Sequence, residues 1–379
     1  MSQNQNLKEV ATVFFKLGCF AFGGPAAHIA MMEDEIVTKR KWMTRDHYLD
    51  LIGATNLIPG PNSTEMTMHC GHERAGKAGL FVAGISFIFP AIFITGILAY
   101  FYVTYGTLPQ VAPFIKGIQP AVLVIITSAI FKLGKKALKT WELAIIGGIV
   151  LLSSFLGLHE VIALLMGGII GGFYFYFKNN TKNKTLSVII PFLLPSFIVN
   201  SLPSISITKI FLTFLKVGSI LYGSGYVLFA YLDAEFVAKG LMTNAHLLDA
   251  IGIGQFTPGP VLSTATFIGF QLGGFWGSIA ATTGMFLPSF LFVLLLNPFI
   301  PKMRKSKVLG YFLDSVNIAA VAVMLAVLIT MSFATLVNWQ SLFIMIVAGL
   351  MIFGPKKVSV IWVIVTGSVL GYILSLITF

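Results

Sequence analysis

Apolar runs long enough to cross a lipid bilayer recur along the whole of this chain. One of them, AGLFVAGISFIFPAIFITGILAYFYV, begins at Ala78 and contains no charged residue. About 20 consecutive apolar residues are enough for one helical crossing. Only 10% of the 379 residues are charged, against about 25% in a typical soluble domain. The sequence therefore predicts an all-α polytopic membrane protein.

The positive charge of the chain lies in short loops between these runs. The formal net charge is +11, which by itself could indicate a nucleic-acid-binding protein. Lysine and arginine gather instead between apolar segments, as they do in the cytoplasmic loops of membrane proteins. We therefore expect contact with the lipid bilayer and none with nucleic acid. The basic loop residues are Lys39, Arg40, Lys41 and Arg45; Lys132, Lys135, Lys136 and Lys139; Lys178, Lys182 and Lys184; Lys302, Arg304, Lys305 and Lys307; Lys356 and Lys357.

The second half of the chain repeats the first. With a shift of 200 residues, FFKLGCFAFGG from Phe14 matches FLKVGSILYGS from Phe214. Further on, MTRDHYLDLIG matches MTNAHLLDAIG, and the Pro-Gly-Pro at 59–61 matches the Pro-Gly-Pro at 258–260. Chance would not keep this register across so many glycines and prolines, so we infer an internal duplication. The predicted parts are a first repeat over 1–177, a linker with a Pro-broken hydrophobic segment over 178–205, and a second repeat over 206–379.

Each repeat contains about six hydrophobic elements, and counting crossings predicts that the two repeats are inverted. If the Pro-Gly-Pro elements are re-entrant and the segment 187–205 does not cross, every strongly basic loop falls inside. If every element crosses, the repeats are also inverted, but the first basic loop falls outside. Inverted repeats with broken helices are typical of secondary transporters, which bind substrate near the midplane. The elements lie near 7–31, 46–73, 78–105, 111–136, 141–157 and 159–177, and near 206–232, 246–271, 276–299, 308–334, 339–353 and 358–377.

The two Pro-Gly-Pro motifs break helices inside apolar segments. They stand in NLIPGPNST at 56–64 and in QFTPGPVLST at 255–264. Proline cannot continue an incoming helix but readily starts a new one. A helix that starts after the motif has free amides and a partial positive charge at its first turn, which suits an anion. The alternative is that each motif only kinks a helix for packing.

Two further features accompany these motifs. The stretches AFGGPAAH at 21–28 and LYGSGYVL at 221–228 would open the first helix of each repeat, either toward a ligand or for close helix packing. Lys16 and Lys216 lie about 13–15 Å into the same helices, near the bilayer centre. An ionisable group at that depth is usually functional, although both lysines could instead extend to an interface.

Several acidic and histidine residues allow more than one role. Glu65 lies on the first turn of the broken helix, where it could couple protons or act as a helix-start charge. His28 titrates near neutrality in water and could couple or pack. In MHCGHE at 68–73, His69, His72 and Glu73 have helical spacing that could hold a metal, which would indicate an intramembrane metalloenzyme. We expect no metal and no cofactor.

These observations give a set of candidate site residues. The candidate coupling residues are His28, Glu65 and Arg74. The candidate substrate-binding residues are Lys16, Gly23, Gly24, Asn56, Pro59, Gly60, Pro61, Asn62, Ser63 and Thr64 in the first repeat, and Lys216, Gly223, Ser224, Gln255, Gly259, Ser263 and Thr264 in the second.

The motifs resemble the chromate ion transporter (CHR) family in its long, two-domain form. The resemblance rests on FGGPAAH, the loop with Trp42, PGPNST, GHERAGKAGL and the helix with Pro90, and in the second copy on GQFTPGPVLST, Gly274, Gly277 and Pro288. The second copy departs from the first because Ser224 and Gly225 replace Gly24 and Pro25. Val261 and Leu262 likewise stand where Asn62 and Ser63 stand. We therefore expect more of the substrate contact in the first repeat.

This resemblance implies a multi-pass protein of the bacterial plasma (inner) membrane that exports chromate, with sulfate as the natural analogue, and so gives chromate resistance. The residues alone support a carrier for a tetrahedral, divalent oxyanion. The alternatives are an anion channel and the metalloenzyme built on His69, His72 and Glu73. The chain lacks the GxxxxGK[ST] pattern that ATP-driven transport would need. A homodimer is a further expectation.

Overall fold

A computed structural model describes residues 3–22, 24–179, 205–222, 225–296, 299, 303, 306–355 and 358–377. This part of the chain contains 14 α-helices. The predicted all-α class is therefore confirmed, although about six hydrophobic elements were expected in each repeat. Gly23, Gly223, Ser224 and most of the predicted linker, including its Pro-broken segment up to residue 204, lie outside the described residues.

The first repeat holds seven helices. Six helices in the described ranges are long and apolar enough to cross a membrane, and two shorter apolar helices accompany them. A π-helical turn, Glu33–Lys39, follows α2. The helices are α1 (Gln3–Phe20), α2 (Pro25–Met32), α3 (Arg45–Thr55), α4 (Asn62–Tyr105), α5 (Ala112–Ala137), α6 (Trp141–Phe155) and α7 (Glu160–Asn179).

The described residues of the second repeat form seven helices that match those of the first. A 3₁₀ turn, Gly225–Val227, precedes α9, and a π-helical turn, Asp233–Val237, follows it. Another 3₁₀ turn, Val261–Ser263, leads into α11. The helices are α8 (Ile207–Ile220), α9 (Leu228–Leu232), α10 (Asn244–Phe256), α11 (Thr264–Leu296), α12 (Lys307–Thr335), α13 (Trp339–Phe353) and α14 (Val360–Ile377).

Each repeat begins with two helical hairpins. The chain of each hairpin reverses direction near the centre of the molecule. In the first hairpin, α1 ends before the glycine break and α2 returns, so that Arg40 Nη1 lies 2.9 Å from Glu9 Oε1. The second hairpin comprises α3, the Pro-Gly-Pro turn and the first part of α4. The element near 7–31, which both predicted topologies treat as a membrane crossing, is therefore a re-entrant hairpin. The sequence pattern hid this because both arms are apolar and the break is only a few residues long.

The long helices α4 and α11 are each divided into two arms by a sharp bend, and the second arm packs back on the first. Non-helical φ and ψ angles at Ala75 and Gly76 divide α4, and the same occurs at Gly273 and Gly274 in α11. Gly71 consequently packs directly on the backbone of Gly79, which would be impossible in a straight helix. The arm after each kink then crosses the whole molecule.

Described residues of the first two basic loops lie on one face of the helix array, which we call the basic face. The bend of α4 lies there, since Arg74 Nη2 is 2.7 Å from Glu9 Oε2 beside Arg40. Following the chain through α5 brings Lys139 to the same face, where its Nζ lies 2.6 Å from Asp314 Oδ1 at the start of α12. In contrast, Glu235 of the second repeat lies 3.8 Å from His159, in the turn between α6 and α7 on the opposite face. The two repeats are therefore inverted, as predicted.

The repeats are intertwined rather than side by side. The long helices α4 and α11 pack on each other at the centre. Helices α13 and α14 of the second repeat pack on α5 of the first, and α6 and α7 of the first pack on α12 of the second. Gly117 of α5 faces Gly367 and Gly371 of α14, a close small-residue seam of the kind that membrane helices use.

The two copies are not packed equally. Helix α10 packs on α5, and its buried Asp249 accepts hydrogen bonds from the Tyr102 hydroxyl at 2.6 Å and from Gln119 Nε2 at 3.0 Å. Its counterpart in the first repeat, Asp50 on α3, is exposed. The duplicated sequence therefore adopts two different local environments.

Inversion gives a first testable prediction. Asp46 and Ala245 occupy matching positions, and both are exposed in the first turns of α3 and α10. In a background with Cys19 and Cys70 replaced by alanine, we expect a membrane-impermeant maleimide to label Asp46→Cys from one side of sealed cells and Ala245→Cys from the other. Labelling of both cysteines from the same side would contradict the inverted arrangement.

Candidate functional site

The two Pro-Gly-Pro turns meet at the centre through a reciprocal pair of backbone hydrogen bonds. The Gly60 amide donates to the Leu221 carbonyl at 2.7 Å, at the end of α8. The Gly259 amide donates to the Ala21 carbonyl at 2.9 Å, at the end of α1. Each turn therefore closes the helix break of the other repeat. Non-helical backbone inside a membrane requires such partners or a wet cavity.

Both turns need glycine at their middle position. Gly60 has a φ of 142° and Gly259 a φ of 87°, where residues with a side chain are strained. A methyl group on Gly60 would overlap Glu65 Oε1 and lie 2.6 Å from Ser289 Oγ on α11. A methyl group on Gly259 would lie 2.9 Å from the Ala91 methyl on α4. Each turn is thus fitted against the long helix of the opposite repeat.

The helices that begin after the turns start head to head at the centre. Helix α4 starts at Asn62 and runs toward the basic face, whereas α11 runs toward the opposite face. In α4, the amides of Thr64 and Glu65 bond to the Pro61 carbonyl, so the amides of Asn62 and Ser63 precede the helical ladder. The second helix starts with a tighter 3₁₀ turn in which the Ser263 amide bonds to the Pro260 carbonyl at 2.9 Å.

His28 and Ser63 connect the first helix start to the break in α1. His28 Nε2 lies 3.1 Å from the Ala21 carbonyl, the same oxygen that receives the Gly259 amide. A carbonyl only accepts, so Nε2 carries a proton. In the neutral imidazole, Nδ1 then accepts from the Ser63 hydroxyl, 3.3 Å away. A change in the protonation of His28 would therefore reverse the donor role of Ser63.

The remaining polar groups at the N-terminus of α4 fall into two sets. Asn62 Nδ2 donates to Asn56 Oδ1 at 2.7 Å and so bridges the two ends of the turn. Thr64 and Glu65 are fully buried, and the Thr64 hydroxyl and both Glu65 oxygens have no hydrogen-bond partner among the described residues.

At the N-terminus of the second broken helix, the hydroxyl groups have hydrogen-bond partners within the protein. Thr257 Oγ1 lies 3.3 Å from Ser263 Oγ and 3.4 Å from Thr95 Oγ1 of α4. The Thr264 hydroxyl, at the position that matches Glu65, donates to the Val261 carbonyl at 2.8 Å. These hydroxyls are thus hydrogen-bonded within the protein, unlike that of Thr64.

A small cavity joins the second turn to the break in the first repeat. Its volume is about 60 Å³, several times the ~10–15 Å³ that one water needs. Gly24, Gln255, Thr257, Gly259 and Ser359 are among its lining residues. Gln255 is mostly buried, and its Nε2 has no hydrogen-bond partner among the described residues. The cavity thus brings together candidates from both repeats.

The structure gives the two candidate lysines different surroundings. Lys216 Nζ lies 2.6 Å from Glu235 Oε1, and Lys239 pairs with the same buried carboxylate. Lys216 is therefore neutralised in this conformation. It lies with Glu235 toward the face that holds His159 and not at the centre, where its position along the helix had placed it, because Glu235 attracts its ammonium group. Lys16 lies on the exposed side of α1, opposite the face that packs on α4.

The remaining candidates lie away from the turns. Arg74 is about 18 Å along α4 from Asn62, and it pairs with Glu9 and stacks on Trp42. Glu73 pairs with His47 at 3.3 Å near the same end of the helix. Among the described residues, no three His, Cys, Asp or Glu side chains lie close enough to hold a metal. The metalloenzyme alternative therefore gains no support from the geometry.

Sequence reasoning missed the residues that the opposite repeat supplies. These are the carbonyls of Ala21 and Leu221, the Thr95 hydroxyl, which lies 3.4 Å from Thr257 Oγ1, and Ser289, which lies against Gly60. The available signal was weak: Ala21 matches Leu221, and Ser289 and Ala91 follow the matching prolines 288 and 90. An alignment of two repeats shows which positions are equivalent but not which ones touch.

Comparison with known families agrees with this architecture. The profile of the family described as chromate transporter matches the chain twice, over residues 8–172 and 208–372. The chain belongs to the chromate transporter family. Together with its membrane-spanning helices, this membership makes it a multi-pass membrane transport protein and not an enzyme.

Individual relatives match over nearly their full length. The chain is 29% identical to an uncharacterized transporter of Methanocaldococcus jannaschii, over 98% of this chain and 95% of the relative. It is 27% identical to a chromate transport protein of Pseudomonas aeruginosa, over 95% and 90%. It is 25% identical to one of Cupriavidus metallidurans, over 97% and 93%. No solved structure shows a significant match.

The fit of Gly60 gives a second prediction. We expect Gly60→Ala to lose about 1–3 kcal/mol of stability from backbone strain, and more from the displaced Glu65 side chain. Gly96→Ala on α4, the helix that follows the turn, is the control, because a methyl group there meets no atom within 4 Å. Thermal unfolding of the purified protein in detergent measures both. Equal midpoints for the two variants would show that the turn tolerates a side chain.

Proposed function

We propose that this protein is a secondary transporter that exports chromate across the plasma membrane, accepts sulfate-like tetrahedral oxyanions, and so gives chromate resistance. Family membership supports chromate as substrate, since relatives in Pseudomonas aeruginosa and Cupriavidus metallidurans are named chromate transport proteins. The observation that carries the proposal is the head-to-head meeting of two broken helices at the boundary between inverted repeats.

This arrangement suits an oxyanion for an electrostatic reason. Each helix start carries about half a positive charge, so the two together offer about one unit. Amides of Asn62 and Ser63 and nearby hydroxyls supply donors in several directions, which suits a tetrahedral ion with four oxygens. The proposed binding residues are Gly24, Asn56, Pro59, Gly60, Pro61, Asn62, Ser63, Thr64, Gln255, Gly259, Ser263 and Thr264.

A dianion needs about one further positive charge. We assign this role to Lys16 and Lys216, which are not equivalent. Lys216 already pairs with Glu235, so it can serve an anion only by exchanging partners. We therefore expect the exposed Lys16 to contribute more than Lys216.

The direction of transport follows from the membrane potential. Moving one charge through 100 mV is worth about 2.3 kcal/mol, so a dianion gains about 4.6 kcal/mol on leaving an inside-negative cell. At about 1.4 kcal/mol per decade, this supports roughly three decades of outward gradient without ATP. The positive-inside rule places the basic face in the cytoplasm. One chain supplies all the proposed residues, so a homodimer is not needed to complete the site.

Counterflow of labelled chromate in proteoliposomes tests the function. We expect saturable uptake of the label against unlabelled chromate or sulfate inside the vesicles. Flux that rises linearly with concentration would indicate a channel, and absence of flux would refute the proposal.

The site is tested in the same assay with one serine variant at each helix start. Ser63→Ala should weaken chromate affinity by about 1–2 kcal/mol, or roughly 5–30-fold, because it removes a donor to a charged group. Ser263→Ala should cost less, since the Ser263 hydroxyl already lies beside Thr257. Unchanged affinity in both variants would indicate that the Pro-Gly-Pro turns serve helix packing and not anion binding.

A further inference from the structure

Glu65 is an acidic residue that is buried at the centre of the molecule. It lies in the first turn of α4, is 0% exposed, and neither of its carboxyl oxygens has a hydrogen-bond partner among the described residues. No lysine, arginine or histidine in the described part of the chain forms an ion pair with it. Burial of a charge without a partner is strongly unfavourable, so the geometry favours the neutral carboxylic acid.

The surroundings of Glu65 come from both repeats. Ser289 on α11 is also fully buried, and its hydroxyl has no partner among the described residues. The Glu65 and Ser289 oxygens converge on the same side of Gly60, where a methyl group would meet both. Tyr222, just after α8, is close enough to interact electrostatically with the carboxyl group. The fully buried Thr64 hydroxyl precedes Glu65 in the same turn.

Only the first repeat carries this acid. The matching residue, Thr264, is neutral and donates its hydroxyl to a backbone carbonyl. An ionised Glu65 would place a negative charge beside the helix start that an oxyanion is proposed to occupy. Like charges at that distance repel, whereas a protonated Glu65 leaves the helix start positive.

We propose that Glu65 is the proton-binding residue of the transport cycle. The carboxylate takes up one proton from water, and the resulting carboxylic acid donates a hydrogen bond to Ser289 Oγ while the oxyanion occupies the adjacent helix start. Glu65 releases its proton to water after the anion leaves, so one proton accompanies each dianion. The net charge moved is then one, and 100 mV supports roughly one and a half decades of outward gradient in place of three. Proton and anion binding therefore reinforce each other, and by linkage each raises the affinity for the other to the same extent. This inference rests on the proposed oxyanion transport.

The sign of the pH dependence follows from the state that binds. Glu65 is protonated at low pH, so the anion binds there, and affinity falls as pH rises and the acid ionises. The limit for one coupled proton is about tenfold per pH unit. Other titratable groups near the site are Tyr222 after α8, His28 on α2 through Ser63, and His69 one turn further along α4.

Equilibrium binding and counterflow of labelled chromate, measured over a range of pH, test the inference. Glu65→Gln mimics the protonated acid and should keep its affinity at high pH, where the wild type loses up to about tenfold per pH unit. The ratio of the two affinities cancels the titration of chromate itself. Glu73→Gln is the control, since this exposed residue lies on the same arm of α4. Ser289→Ala should lower the pH at which affinity is lost.

The outcomes separate this inference from the proposed function. No chromate binding or flux by the wild type would overturn both. Flux by the wild type with a constant Glu65→Gln to wild-type ratio across pH would overturn the proton role alone, as would a pH dependence that disappears only in His28→Gln. A dependence on sodium that Glu65→Gln abolishes would assign the site to a metal cation instead. Gel filtration before each assay shows that the variants are folded.

Discussion

The backbone of a broken helix has to be satisfied inside a membrane, and in this protein the opposite repeat satisfies it. Gly60 donates to Leu221 and Gly259 donates to Ala21, so the two breaks and the two turns form one connected unit. Lipid offers no hydrogen bonds, and an unpaired amide there is costly. The bends of α4 and α11, the small residues in the turns and the intertwining of the long helices all bring these four backbone segments together.

The same constraint explains why polar residues concentrate at this place. A helix start is positive and a helix break exposes carbonyls, so the centre contains donors and acceptors without any aqueous channel being required. His28 connects two of these groups. Its Nε2 shares the Ala21 carbonyl with the Gly259 amide, and its Nδ1 lies within hydrogen-bond distance of the Ser63 hydroxyl. Charged side chains remain mostly at the two faces, where Glu9, Arg40 and Arg74 form one cluster and Lys216, Glu235 and Lys239 another.

Much of this architecture could be predicted from the sequence, since glycine and proline mark helix ends directly. The duplication, the inversion and the two broken helices followed from the matching Pro-Gly-Pro motifs and from the basic loops. The first hairpin was missed because the arms of 7–31 are both apolar. The pairing of Lys216 with Glu235 was also missed, although the shift of 200 residues that reveals the repeat also aligns Glu35 with Glu235. A local pattern specifies where a helix stops, but the direction of the returning chain and its partners depends on packing between distant segments. Ser289 beside Gly60 is the clearest example.

The reciprocal bonds also constrain how the protein can be made. A ribosome completes the first repeat well before it reaches Leu221 or Ser289, so the nascent first half enters the membrane with its central turn lacking both partners. Each half therefore resembles a domain in sequence but not in its folding. The apolar surface of α5 likewise stays uncovered until α13 and α14 of the second half are synthesised, and α6 and α7 stay uncovered until α12 is synthesised. Insertion into the bilayer and completion of the fold are consequently separate events, and the second awaits the last helices of the chain.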